Sequence, residues 1–153
     1  MTAIVIRPAL PADAPACIDL RGRTRQNAVP AERLAALGIT AQSWSAQIAS
    51  GRLPGHVALL AGEMVGYCFG DADSGEIVVL ALLPDYEARG LGRTLLQKVI
   101  DELRAAHGHG RLFLGCSSDP ASRSHDFYRH LGWRPTGEID KYGDELLELL
   151  PPN

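Results

Sequence analysis

Two glycines two positions apart, Gly90 and Gly92, stand between arginines in the run Arg89-Gly90-Leu91-Gly92-Arg93. An apolar segment precedes the run and an amphipathic one follows it. At a strand's carboxyl end and a helix's amino end, backbone N–H groups and the positive end of the helix dipole gather, and glycine admits a ligand close to the backbone. Such a place suits a phosphate, although two glycines taken alone read first as an ordinary turn and helix start. Residues 84–98 carry three basic side chains (Arg89, Arg93, Lys98) against two acidic ones (Asp85, Glu87), a locally cationic patch in a chain of formal net charge -3. Leu95 stands where a dinucleotide fingerprint would have its third glycine, and no Gly-Lys-Ser/Thr follows, so hydride transfer and nucleotide hydrolysis lose their support. A second candidate is Glu76, which opens the apolar run 77–83. Desolvation there would raise its pKa and suit it to act as a base, although a solvated glutamate after a Gly75 turn is the alternative. Tyr128 lies in Phe127-Tyr128-Arg129-His130-Leu131-Gly132-Trp133; taken alone, Phe127, Tyr128 and Leu131 read as the apolar face of a helix.

These residues need elements to position them. Residues 3–6 form a short β-branched strand before Pro8, and a helix follows from Pro11 to about Asn27 with a frayed basic end at Arg21, Arg23 and Arg25. Pro30 and Gly38 bracket a short helical piece, and Thr40 caps a helix carrying Trp44 and Ile48. Strands at 57–60, 64–69 and 76–83 make an antiparallel meander. The last is apolar on both faces, which places it centrally and covered on both sides. Gly92, Leu95, Leu96, Val99, Ile100 and Leu103 recur at the spacing of one helix face, ended by Gly108 and Gly110. A strand at 112–116 returns parallel to 76–83 through a right-handed crossover. Asp119-Pro120 opens a last helix of roughly three turns that stops at Gly132. Two strands, 133–139 and 145–150, close the chain around Tyr142-Gly143-Asp144. The fold class is α/β (α+β), with a mixed, mostly antiparallel sheet of about seven strands and flanking helices in a single domain over 1–153.

Composition narrows the function classes. The chain has 153 residues, 46% hydrophobic and 22% charged, enough for one core without staples. Its charge offers no field for nucleic acid or an anionic membrane, and its longest apolar run is far short of the ~20 residues of a membrane span. Cys17, Cys68 and Cys116 are odd in number and widely spaced, which reads as reduced thiols in a cytoplasm. His107 and His109 flank a glycine with no third ligand nearby, so no metal site is expected.

Pro84, the Arg89-Gly90-Leu91-Gly92 loop, the amphipathic helix and the Phe127 to Trp133 segment together resemble the two signature motifs of the GNAT superfamily of acyl-coenzyme A dependent N-acetyltransferases. The order of elements is also similar, over nearly the whole chain. The resemblance implies that acetyl-CoA is the co-substrate and that the backbone amides of Arg89 to Arg93, with Thr94, cradle its pyrophosphate. It further implies that the strand ending at Leu82 and Leu83 splays from the strand ending at Cys116 to admit the pantetheine arm, with a backbone N–H of Ala81 or Leu82 stabilising the oxyanion. Two positions depart from the family pattern. Glu87 stands where Gln or Arg is usual and is expected to turn to solvent or pair with Arg89 or Arg93. Ala121 stands where Asn often bonds the pantetheine amide, a task left to Ser117, Ser118 or Ser122.

The same resemblance assigns Tyr128 as the acid that protonates the leaving thiolate. Glu76-Ile77-Val78, at its spacing from the glycine loop, is similar to the histone acetyltransferase branch, where a glutamate in that place takes the amine proton. The acceptor would be a primary amine of a small molecule or protein, and the family's habit of dimerising admits a homodimer. The acceptor pocket would include Arg25, Gln26, Asn27 and Trp44, with Glu138, Asp140, Asp144 and Glu145 opposite. These acids either favour a cationic amine or are exposed hairpin edges. Arg21, Arg23 and Arg25 either greet an acidic substrate or, as the basic end of a helix more readily suggests, are simply solvated. A non-catalytic acyl-CoA binding module of the same fold is the alternative function.

Overall fold

The computed structural model describes residues 3–25, 28–87 and 89–151. Seven strands are arranged as a four-stranded antiparallel sheet, β1 (Val5–Pro8), β2 (Gly55–Leu60), β3 (Glu63–Gly70) and β4 (Ile77–Leu82), and a three-stranded one in the order β5 (Leu112–Cys116), β7 (Glu145–Leu149), β6 (Arg134–Ile139). Three short helices, α1 (Ala14–Arg21), α2 (Ala31–Ala36) and α3 (Ala41–Ala49), lie between β1 and β2; α4 (Leu91–Ala105) joins β4 to β5, and α5 (Arg123–His130) joins β5 to β6. The expected elements are present and the expected mixed sheet of about seven strands is realised as four plus three, but α1 stops at Arg21 rather than near Asn27, where Gly22 follows it, and β1 runs through Pro8, which pairs with His56 at the sheet edge.

The two faces of the four-stranded sheet bury different partners. On one face Leu95, Leu96, Val99, Ile100 and Leu103 of α4 pack with Ile77, Leu112, Leu114, Tyr128 and Leu147, so that this core draws on both sheets. Their spacing along α4 is the three-and-four repeat of one helix face, which is why the sequence pattern was a good guide here. On the other face α1 and α3 cover Val57, Tyr67, Phe69 and Ala81, where Trp44, Tyr67 and Phe69 meet edge to face with centroids 5.4 to 5.6 Å apart. Thr40 caps α3 as expected: its Oγ1 accepts the Ser43 N–H at 3.1 Å, and Ser43 Oγ accepts the Thr40 N–H at 2.9 Å.

Three expectations are corrected. The parallel pairing of β4 with β5 is reduced to a single bridge, Glu76 with Phe113, beyond which the strands diverge. For the same reason β4 is not covered on both sides. It is the last strand of its sheet, and Val78 is 47% exposed. The last helix begins at Arg123 rather than after Asp119 and is two turns long. Asp119 Oδ1 instead accepts the Ala121 N–H at 2.9 Å, a side-chain turn that competes with helix initiation.

Candidate active site

The divergence of β4 from β5 opens a cavity of about 720 Å³. Its floor is β4 from Ile77 to Leu82; its walls are Leu114 to Ser117, the start of α4 at Gly90, Gly92 and Arg93, the α5 residues Phe127 and Tyr128, and Arg21, Arg25, Val29 and Arg33 after and within the first helices. The exposed apolar strand is thereby explained, because its free edge faces this space. Hydrogen-bond alternation says what that edge offers. Leu83 N–H donates to Val65 O at 3.0 Å, which places Ala81, two residues earlier, in a bonded pair with Tyr67. Leu82, opposite Gly66, is then in a non-bonded pair, and its N–H points away from β3 toward the opening. Between the two amides named from sequence, the register selects Leu82.

Gly90 precedes α4 with φ +79°, a left-handed conformation that glycine adopts without penalty. The first intrahelical bond is Thr94 N–H to Gly90 O at 3.1 Å, so the N–H groups of Leu91, Gly92 and Arg93 have no acceptor within the helix. A Cβ on Gly92 would lie 3.2 Å from Leu82 Cδ1 and 3.7 Å from Phe127 Cζ, so the absent side chain is what keeps this end of the cavity open. Amides without an acceptor inside the helix, a helix dipole and Arg93 on the wall suit a pyrophosphate.

The residues expected to bind the coenzyme fall into two groups. Leu82, Gly90, Gly92, Arg93 and Ser117 line the cavity. Leu91 is buried in the α4 core, Leu83 packs against both cores, Thr94 Oγ1 donates to Gly90 O at 3.0 Å, and the Arg89 guanidinium lies over the Tyr86 ring, 5.4 Å from its centroid. Gln26 and Asn27 lie outside the described residues. Trp44 belongs to the α1–α3 core.

Glu87 neither faces solvent nor pairs with Arg89 or Arg93. Its Oε1 meets Arg25 Nε and its Oε2 meets Arg123 Nε, both at 3.0 Å, and its side chain is 15% exposed. The carboxylate ties Arg25, after α1, and the start of α5 to the loop that precedes α4. Sequence distance hid this arrangement, since 62 residues separate Arg25 from Glu87. Glu87→Gln removes one negative charge beside the cradle and releases two guanidiniums. Affinity for coenzyme A, by calorimetry, is expected to rise about two- to tenfold with a steeper salt dependence; weaker binding would mean that Glu87 is needed to hold the arginines in place.

Tyr128 is buried between Phe127 and Trp133, with centroids 5.1 and 6.0 Å away, and burial pushes its hydroxyl far above the ordinary phenol range, with Cys68 and Cys116 adding to the shift. It stays protonated at any working pH. Arg129 fixes α5 through a bond from Nη2 to Glu145 Oε2 on β7. Glu76 is half-buried, and its carboxyl is raised by burial first, then by Asp71 and Asp140. Asp144 lies on the cavity wall and is raised likewise by burial and by Asp140. The hairpin acids are thus not all exposed edges. In the sequence Asp144 stands only within a run of four acids, because its approach to the cavity depends on how β7 pairs with β5.

The remaining candidates are structural. His109 Nε2 is 2.6 Å from Ala72 O, the three thiols are buried and free, and burial lifts Cys17 to about 12. Among the described residues no group of three or more His, Cys, Asp or Glu could hold a metal ion. Among the same residues no helix is long and apolar enough to cross a membrane.

Comparison with known proteins bears on the family and the fold. Residues 17–133 match the model of the acetyltransferase (GNAT) family. The chain belongs to that family. A mycothiol acetyltransferase from Beutenbergia cavernae is 40% identical over 73 residues, which is 48% of this chain but 24% of that protein, so the match spans about a quarter of its relative. A PaiA N-acetyltransferase from Thermoplasma acidophilum, solved with coenzyme A, superposes with TM-score 0.79 at 17% identity, covering 97% of this chain and 99% of that one. A putative acetyltransferase from Salmonella typhimurium, solved with acetyl-CoA, gives 0.73 at 20% identity over 99% and 95% of the two chains. These two likenesses establish a common fold.

Proposed function

We propose that the chain transfers the acetyl group of acetyl-CoA to a primary amine of a small molecule or protein, by direct attack in a ternary complex. What supports this is the presence in one cavity of a phosphate cradle at the start of α4, an outward N–H at Leu82 and the protonated hydroxyl of Tyr128. The amine nitrogen bonds to the thioester carbonyl carbon and the carbon–sulfur bond breaks. The Leu82 N–H faces the oxygen on which charge gathers.

Two proton problems remain. An alkylammonium with a pKa near ~10.4 must lose a proton before it attacks, and a thiolate whose thiol has a pKa near ~8.5 leaves more readily when it is protonated. Tyr128 gives its proton to sulfur. Glu76, acting through water, takes the ammonium proton, and Asp144 on the wall holds the ammonium in place. The nitrogen sheds two protons in all: one leaves through the carboxylate to solvent, and the other restores Tyr128. Raised carboxyl pKa values suit this task, because a base close to the working pH accepts protons more readily than an ordinary carboxylate.

Free-thiol release from acetyl-CoA across an amine panel tests the transfer, with thermal shift reporting coenzyme binding. Binding without turnover on any amine would instead favour a sensing module. Glu76 must be ionised to act, so kcat/KM is expected to fall with decreasing pH through an inflection above the ordinary glutamate value of ~4.3. Glu76→Gln should abolish that inflection and leave activity only toward alkaline pH, where the amine deprotonates unaided. If Asp144→Asn moved the inflection and Glu76→Gln did not, the base would be Asp144.

A further inference from the structure

The turn between β6 and β7 carries Tyr142 and Asp144 into the lining of the cavity. One residue builds that turn. Asp140 donates its own N–H to Asp144 O at 2.8 Å and accepts the Gly143 N–H on its carbonyl at 3.0 Å, while its Oδ1 accepts the Tyr142 and Asp144 N–H groups at 2.9 and 3.0 Å. A short carboxylate bonded twice to the backbone in this way has little freedom to swing.

Its other oxygen meets the sheet. A Cβ on Gly115 of β5 would lie 2.8 Å from Asp140 Oδ2, closer than a side chain can approach, so the carboxylate occupies the notch that the missing side chain leaves. Gly115 also lines the cavity, and Phe113, two residues earlier and therefore on the same face of β5, pairs with Glu76. The turn thus rests on the face of β5 that Glu76 shares.

A turn of this kind needs an acceptor at position 140, and asparagine would supply one without a charge. Asp140 is instead a third carboxylate set against two others. Its charge raises the carboxyls of both Glu76 and Asp144, in each case after burial, and for Glu76 after Asp71 as well. The neighbouring cations are already engaged: Arg52 with Asp71 at 3.0 Å, Arg111 with Glu148, and Arg129 with Glu145. His109 meets Ala72 O, and Lys141 lies over the Tyr142 ring. Like charges so placed oppose folding, an arrangement expected at a functional site and not in a turn that only closes a hairpin. A bound ammonium relieves the repulsion.

Resting on the acetyltransferase reading, we infer that Asp140 is a positioning residue for the acceptor amine: seated over Gly115, it holds Asp144 and Tyr142 on the cavity wall and sets a fixed negative charge beside Asp144 and Glu76.

Three variants of the whole chain test this. Asp140→Asn keeps an acceptor for the Tyr142 and Asp144 N–H groups and removes only the charge. Fewer like charges make the neighbouring carboxyls easier to ionise, so the Glu76 and Asp144 midpoints, followed by carbon-13 NMR of the side-chain carboxyls, should fall by about half a pH unit or more. The acid limb of kcat/KM should move down with them. Asp140→Ala also takes away both turn bonds, and Gly115→Ala puts a methyl where Oδ2 sits. Each is expected to raise the KM for a primary amine about tenfold and leave the KM for acetyl-CoA unchanged. A merely structural turn residue would leave Asp140→Asn with the midpoints and pH profile of the unaltered chain, and that result overturns the inference. So does an unchanged amine KM in Gly115→Ala. Absence of turnover on every amine would sink the enzyme reading alone. The inference is then decided without turnover, by whether the carboxyl midpoints fall in Asp140→Asn and whether the Tyr142 and Asp144 amide resonances shift in Gly115→Ala; failure of either overturns it.

Discussion

Tyr128→Phe is expected to lower kcat by about 100-fold or more, within the 10² to 10⁴ range that a positioned proton donor supplies. The substitution removes one oxygen and keeps the ring that packs between Phe127 and Trp133, so the fold survives and Tm should move by only about a few degrees. Burial holds the hydroxyl protonated, so no limb of the pH profile belongs to its ionisation. The loss should therefore be uniform across the neutral range. It should also shrink with an acyl donor whose thiol is more acidic, since such a thiolate needs less help in leaving. Full turnover with an unchanged pH profile would remove Tyr128 from the chemistry and reduce it to a core aromatic.

The second large effect is expected at Gly92. A leucine there would place its Cβ 3.2 Å from Leu82 Cδ1 and extend the rest of its side chain into the space that the cavity keeps between Leu82 and Phe127. The helix itself tolerates leucine well. What suffers is the approach of a phosphate to the N–H groups of Leu91, Gly92 and Arg93. Losing one or two charge-assisted bonds of about 1.5 to 3 kcal/mol each weakens acetyl-CoA binding by roughly 10- to 100-fold or more. Calorimetry with coenzyme A measures it, and circular dichroism confirms the fold. Gly90→Ala is the informative partner, because nothing lies within 4 Å of a Cβ there and its cost is left-handed backbone strain of about 1 to 2 kcal/mol. Unchanged affinity in Gly92→Leu would place the cradle elsewhere.

Local chemistry made much of this legible in advance. The α4 stripe, the Thr40 cap, the meander and the glycine loop each follow from residues within a few positions of one another, and each is present where expected. The errors share a cause too. An apolar strand reads as covered on both sides whether its neighbour is another strand or a cavity, because hydrophobicity reports removal from water and not the identity of what removes it. Asp119-Pro120 has the composition of a helix start, yet a side-chain turn uses the same aspartate oxygen first.

The sequence by itself determined the element types and a glycine loop at a helix start, since periodicity and turn chemistry are properties of short segments; Glu76 stood out at the head of an apolar run, and Tyr128 only through the resemblance to the GNAT superfamily. Only the tertiary structure decided that Leu82 rather than Ala81 turns its amide to the opening, that Glu87 is held by Arg25 and Arg123, and that Arg21 and Arg33 share a cavity with Asp144. Each of these depends on strand register or on contacts between residues far apart in the chain. Register fixes which edge an amide faces, and no local pattern of side chains records it.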